Sequence, residues 1–259
     1  MKVLLLDVGN TRVKWGLGED REIHHTGHIG QDRIREQGLG VLTTRLPRKV
    51  DAVMAGNVAG QTFGTRLAGV IGAHTGCDLK FVTTTRAAAG VTNGYTQPRR
   101  LGVDRWLALI GAWRELGRAC LVVDAGTAVT IDALDRKGVH LGGQILPGTQ
   151  LMAASLATNT AEIPPTPQVK SAKFEGLELF AKNTRTAVQS GSLAAVSGAV
   201  ERALRSLRAA ERRAVLVLTG GDAPRILATL EESPLHRPHL VLNGLLELFE
   251  TGSGPERRS

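Results

Sequence analysis

Runs and alternations of apolar positions divide the chain into short strands and helices. Val3–Leu6 is an apolar run closed by Asp7. In Thr11–Leu17, Val13, Trp15 and Leu17 fall on one face, the period-two pattern of a half-buried strand. Together they predict a hairpin around Gly9-Asn10. Val50–Asn57 predicts a buried strand, Thr62–Ala73 a helix and Leu79–Thr83 a β-rich run. Asp32–Thr43 fits no single pattern, and Gly90–Leu101 is a polar loop holding Tyr95 and Pro98. Asp104–Leu116 carries Trp106, Leu109, Ile110, Trp113 and Leu116 at three- and four-residue steps, which predicts a helix with an apolar stripe. Asp104 stands at its start, where a carboxylate meets free amides. A second hairpin begins at Leu121, with Val129, Ile131 and Ala133 alternating with Thr130 and Asp132. Val139–Ile145 runs through Gly142-Gly143 into Pro147-Gly148. Gln150–Leu156 reads as helical, Pro164–Pro167 as a loop or lid, and Thr186–Leu207 as a long helix. Ala214–Leu218 predicts a strand ending at Thr219-Gly220-Gly221, with Pro224 near the start of the next helix. Val241–Phe249 is a last short element or helix.

One device occurs twice. Leu4–Thr11 and Leu121–Ala128 each place an apolar strand, an Asp, a Gly-containing turn and a second strand in that order. Strand–helix alternation predicts α/β architecture, and the repeat predicts two related domains facing a shared cleft. The expected division is 1–118, 119–250 and a polar, flexible tail at 251–259, although the later helices are free to cross back. An acidic residue beside exposed turn amides suits a metal-bound nucleotide, so an enzyme of phosphoryl transfer leads.

The candidate residues follow from the repeat. Asp7, Gly9, Asn10 and Thr11 form one phosphate site, since turn amides hold phosphate oxygens without a charged side chain. Asp7 suits hydrated Mg²⁺, which takes oxygen ligands and keeps waters. The competing reading is a tight hairpin in which Asp satisfies its own turn. The same pair of readings stands for Asp124, Gly126 and Thr127. The Walker pattern is absent, which excludes a P-loop. In Gly102-Val103-Asp104-Arg105, Asp104 suits a base for a substrate hydroxyl and Arg105 a partner for a substrate carboxylate. The alternative there is a helix cap followed by a solvent-facing Arg. His24, His25 and His28 look metal-like by count, but their polar surroundings predict a solvent-facing loop.

Composition narrows the classes. The formal net charge of +8 favours anionic partners. The basic residues are spread out and aromatics are few, so a nucleic-acid surface is disfavoured. Cys77 and Cys120 sit beside apolar runs and read as buried thiols, not a disulfide framework. There is no signal-peptide pattern and no long apolar span, so the expected location is cytoplasmic, with no membrane partner.

At this point the sequence resembles the type III pantothenate kinase family, which includes the Bvg accessory factor-like proteins. The matching pieces are Asp7-Val8-Gly9-Asn10-Thr11, Tyr95, Gly102-Val103-Asp104-Arg105 and Asp124-Ala125-Gly126-Thr127-Ala128. Gly142 to Gly148, Asn183-Thr184 and Thr219-Gly220-Gly221 follow in family order. The resemblance implies the acetate and sugar kinase/Hsp70/actin fold, with two ribonuclease H-like domains and a central nucleotide cleft. It implies ATP-dependent phosphorylation of pantothenate, the first step toward coenzyme A. Asp7, Val8, Gly9, Asn10, Thr11, Arg12, Val13 and Lys14 would surround the ATP phosphates and Mg²⁺, and Thr127 would contact ATP. Tyr95, Gly102, Val103, Asp104 and Arg105 would bind pantothenate, with Asp104 as proton acceptor. Asp124 would hold K⁺ or NH₄⁺. Thr184 would approach pantothenate, within its own subunit or across the interface of the homodimer that the family implies. The apolar faces of the Trp106 and Thr186–Leu207 helices suit either such an interface or the core. Competing functions are another small-metabolite kinase or phosphatase of this fold, or a nucleotide-dependent regulatory protein.

Overall fold

The computed structural model describes residues 1–165 and 178–253. Thr166 and Pro167 of the expected loop or lid, and 254–259 of the expected tail, lie outside the described residues. The chain divides into two compact units, one formed by Met1–Gly117 with His239–Ser259, the other by Arg118–Pro238.

In the first unit β1 (Val3–Val8), β2 (Arg12–Glu19) and β3 (Glu22–Gly30) form an antiparallel meander. β4 (Ala52–Asn57) pairs parallel to β1, and β5 (Leu79–Phe81) parallel to β4, giving the order β3-β2-β1-β4-β5. A separate antiparallel pair, β6 (Ala87–Ala88) and β7 (Val91–Thr92), follows. Period-two burial then sorts the side chains of β1. Leu4, Leu6 and Val8 pack with Ile34 of α1 (Gln31–Gln37), Leu42 of α2 (Gly40–Thr43) and Leu67 and Ile71 of α3 (Gln61–Thr75). On the other face, α8 (Leu240–Glu250) packs so closely that a Cβ on Gly18 would meet Leu246, Val3 and Leu5 side chains. α8 also lies against α4 (Val103–Leu116). The two backbones touch, since a Cβ on Gly111 would strike the Leu240 carbonyl, and one on Gly244 the Leu107 carbonyl. Eight consecutive residues of α4, Arg105–Ala112, are buried, more than the single stripe the sequence predicts.

Two expectations change here. Residues 239–250 belong with the first unit, not with 119–238, because α8 covers the sheet face that α1–α3 leave open. His24, His25 and His28 lie on edge strand β3, not in a loop. The two-residue turn before it, Asp20-Arg21, has φ of 51° and 67°, the backbone a tight hairpin requires. Pairing with β2 slips between Trp15 and Leu17, and His25 takes φ 48° at that bulge.

The second unit repeats the topology. β8 (Cys120–Ala125), β9 (Ala128–Leu134) and β10 (His140–Pro147) form the antiparallel meander. β11 (Val215–Thr219) and β12 (Leu235–His236) run parallel to β8, in the order β10-β9-β8-β11-β12. Leu121, Val123, Val129 and Ile131 meet Leu193, Val196, Val200, Leu204 and Leu207 of α6 (Thr184–Ala210) in one core. The apolar face of α6 therefore fills its own unit's core, as Trp106, 0% exposed, does in the first. α5 (Thr149–Asn159) and the short α7 (Ala223–Leu227) complete the described helices. Burial pushes the Cys120 thiol up to about 12.

Candidate active site

The first Asp-containing turn joins β1 to β2. Strand pairing sets Asp7 opposite Lys14, and the Lys14 Nζ lies 3.8 Å from Asp7 Oδ2. The Gly9 N–H donates to the Arg12 carbonyl at 3.0 Å and closes the turn. Val8 and Val13 are buried beneath it, while Asn10, Thr11 and Arg12 are exposed. Gln31, 5% exposed, fixes the turn from outside. Its Nε2 donates to the Gly9 carbonyl at 3.0 Å, and its backbone N–H to the Thr11 carbonyl at 2.8 Å. The surroundings are cationic. The His28 pKa is lowered by burial, then by Arg12, Lys14 and Arg45. That of His239 is lowered by burial, then by Lys14. The cations that add to these shifts, with Lys14 common to both, favour an anion beside this turn.

The second cluster in this unit lies before and at the start of α4. Asn93, 1% exposed, organises the preceding loop, and its Oδ1 accepts from the Tyr95 N–H at 2.9 Å. Tyr95 is thereby directed to Arg105. The Arg105 Nη1 donates to the Tyr95 hydroxyl at 2.8 Å, and the guanidinium carbon lies 5.6 Å from the ring centroid. Arg105 is 6% exposed, so the solvent-facing alternative is removed. Asp104 is half-buried in the first helical turn, where its Oδ1 accepts from the Arg105 N–H at 2.8 Å. A Cβ on Gly102 would crowd that oxygen at 2.7 Å, so glycine at 102 lets the carboxylate fold back over the chain. The structure thus brings Tyr95, Gly102, Asp104 and Arg105 together, with Val103 opening the helix.

The second unit holds the repeated turn. The Gly126 N–H donates to the Ala128 carbonyl at 3.0 Å. Asp124 is half-buried, and Thr127 is exposed. The carbonyls on either side of Gly126 are both fixed, Ala125 by the Asp222 N–H at 2.9 Å and Thr127 by the Gly148 N–H at 2.9 Å. The residues behind those two donors are joined in turn. Thr149 Oγ1 donates to Asp222 Oδ2 at 2.6 Å, and Arg225 Nη1 donates to Thr149 Oγ1 at 3.2 Å and to Asp222 Oδ1 at 3.3 Å. Thr149 is 3% exposed and Arg225 6%. Gly220 takes φ 100°, and a Cβ there would clash with the Ala125 carbonyl and Asp124 Oδ1, so only glycine fits beside them. Thr184 is the exposed first residue of α6, directly after Asn183, whose Oδ1 caps the helix by accepting from the Thr186 N–H at 2.9 Å.

Gln31, Asn93, Thr149 and Arg225 carried no sequence signal. Asp222 carried a weak one, by following Gly220-Gly221. Among the described residues no group of three His, Cys, Asp or Glu side chains gathers to hold a metal ion. His24 instead pairs with Glu22 at 3.8 Å. No helix among them is long and apolar enough to cross a membrane.

The chain resembles known proteins along most of its length. A family model described as type III pantothenate kinase matches residues 3–206. A type III pantothenate kinase of Azoarcus sp. (strain BH72) is 40% identical, over 94% of this chain and 89% of its own length. That of Alkalilimnicola ehrlichii is 36% identical, over 95% and 96%. Among solved structures, a conserved candidate Baf family transcriptional activator of Campylobacter jejuni matches with a TM-score of 0.61 at 19% identity, over 96% of this chain and 99% of its own. At that identity it speaks to the fold alone.

Proposed function

The chain belongs to the type III pantothenate kinase family, and from that premise we propose that it transfers the γ-phosphoryl group of ATP to the primary hydroxyl of pantothenate. The product is 4'-phosphopantothenate, at the first step of coenzyme A biosynthesis. The fold is that of the acetate and sugar kinase superfamily, with two mixed α/β units. We infer that each unit is ribonuclease H-like, because both repeat one strand order.

The observation that carries the substrate side is the buried Arg105 aimed by Tyr95 beside Asp104. Pantothenate has a hydroxyl at one end and a carboxylate at the other. Asp104 accepts the hydroxyl proton as the oxygen attacks the γ-phosphorus, and Arg105 pairs with the carboxylate. Gly102 and Val103 complete that wall. Thr184 reaches the substrate from the second protomer of a homodimer.

On the ATP side, the turn from Asp7 to Lys14 receives the phosphates, and its backbone amides meet the charge that develops on the transferred group. Lys14 adds a cation without a P-loop, and Thr127 contributes a hydroxyl to ATP. Asp7 fits Mg²⁺ carried by the nucleotide, since a single carboxylate is enough where phosphates and waters supply the other oxygens. Asp124, a half-buried carboxylate beside the Gly126 turn, would hold K⁺ or NH₄⁺. A monovalent cation held there would offset phosphate charge.

The test is ADP formation from Mg-ATP with and without pantothenate, in K⁺, NH₄⁺ and Na⁺ buffers, with the product identified by mass. Pantothenate-dependent ADP and a phosphopantothenate mass are expected, with K⁺ or NH₄⁺ required. Absence of turnover by folded protein in every buffer would defeat the assignment.

A further inference from the structure

The loops around the substrate segment of the first unit enclose an open cavity of about 600 Å³. One wall is the stretch after β5 and the other is 96–100, just ahead of α4. Its lining includes Thr83, Thr85, Arg86, Thr96, Arg99 and Arg100, and contains no carboxylate. A cavity of this size suits a small metabolite. Three guanidinium groups with no acid among them favour a multiply charged anion over a single carboxylate.

The cavity is built, not left over. Asn93 Nδ2 donates to the Thr85 carbonyl at 3.2 Å and to the Pro98 carbonyl at 3.1 Å, tying one wall to the other. Thr84 Oγ1 donates to the Leu101 carbonyl at 2.9 Å. Arg86 Nη1 donates to the carbonyls of Asn93 at 3.1 Å and Tyr95 at 3.2 Å. Bonds within the protein therefore fix the walls before any ligand arrives, which lowers the ordering cost of binding. Arg86 is engaged in that frame and supplies charge. Arg99 and Arg100 are exposed on a single 3-10 turn, Pro98–Arg100. Their planar forks match phosphate oxygens, and the threonine hydroxyls add neutral donors.

We propose that this cavity is a binding site for a phosphate-bearing small metabolite, distinct from the ATP turn and from the Tyr95–Arg105 substrate cluster. Two sources of that chemistry are at hand in the proposed reaction, a nucleotide and the phosphorylated product.

The test is isothermal titration of the full chain with both reaction sites filled by saturating Mg-AMPPNP and pantothenate. Inorganic phosphate, ADP and 4'-phosphopantothenate are titrated in separate arms. A parallel arm titrates phosphate with no other ligand, so that it reads the cavity even if the kinase assignment fails. At least one phosphate-bearing ligand is expected to bind once per chain. Arg99→Gln/Arg100→Gln is expected to weaken it by about tenfold or more, with turnover at saturating substrates unchanged. The ADP and product arms identify the source. Arg99→Lys/Arg100→Lys keeps the charge without the fork and is expected to fall between. The proposal is overturned if no arm binds, or if the Gln variant binds as tightly as the parent. It is also overturned if the Gln variant raises the KM for pantothenate and leaves phosphate binding intact, which would make the cavity part of the substrate site.

Discussion

Lysine at position 105 would keep the charge but lose what the site uses. The guanidinium donates to the Tyr95 hydroxyl from beneath a helix start where almost no surface is exposed, and an ammonium has no planar fork to pair with a carboxylate. Arg105→Lys is expected to raise the KM for pantothenate about tenfold or more and leave that for ATP unchanged, as read by steady-state kinetics. Asp104→Asn keeps the oxygen that accepts from the Arg105 N–H, so the helix start survives. It removes the base, and kcat is expected to fall by about 10²-fold or more with ATP affinity intact. Equal turnover in variant and parent would remove the role of Asp104. The histidines near Lys14 set a pH dependence. With the pKa of His28 and His239 lowered in the fold, the unfolded chain binds more protons between that lowered range and about 6.5. Stability from these groups is therefore present above about pH 6.5 and is lost as pH falls below it. Thermal melts across that window are expected to show the loss, and His28→Gln/His239→Gln to flatten it. The acid and the turn glycines were legible in the sequence because their chemistry is local. The burial of Arg105 was not, since Tyr95 and Asn93 impose it from a loop without periodicity.

The two Asp-containing turns are alike at the level of the element, yet each is held by different neighbours. Gln31 steadies the first, whereas the second is gripped by the starts of two helices. Gly148, ahead of α5, holds the Thr127 carbonyl, and Asp222, ahead of α7, holds that of Ala125. Thr149 and Arg225 lock those two starts together. Thr149→Val preserves shape but leaves the half-buried Asp222 carboxylate short of a donor. It is expected to cost about 1–3 kcal/mol of stability and to raise the KM for ATP, while Thr149→Ser restores both. Destabilisation with no change in the KM for ATP would reduce the network to a structural one. The repeat was visible because strand, acid and glycine recur in one order. The network was invisible because its members lie far apart in sequence and nothing periodic links them. Strand β3 was hidden for a related reason. Its outer edge is solvated and His25 sits at a bulge, so the alternation that marks a half-buried strand never forms.

At the scale of the whole molecule, the second unit is one continuous stretch, while the first is assembled from both ends of the chain. The closing piece is α8. Leu107 meets Gly244 and Gly111 meets Leu240, so α4 and α8 run antiparallel with their backbones in contact. The apolar composition of Val241–Phe249 announced a buried element, but no local pattern says which sheet it covers. That choice rests on glycines far apart in sequence that admit one close approach. Leu240, Val241, Leu242, Leu245, Leu246 and Leu248 are buried in α8. At about 1.5 kcal/mol or more each, their loss is comparable to the roughly 5–15 kcal/mol that holds a domain folded. Residues 1–117 alone are therefore expected not to fold. The antiparallel contact also supplies a remedy. Gly117 lies six residues beyond Gly111, about 9 Å along the axis at 1.5 Å per residue, and His239 directly precedes the Leu240 that Gly111 touches. A short Gly/Ser linker from Gly117 to His239 spans that gap, so a chain of 1–117, linker and 239–253 is expected to fold cooperatively without the second unit. Circular dichroism melts of the two chains decide it. A cooperative transition in 1–117 alone would show that α8 is an accessory to this unit, not its closing element.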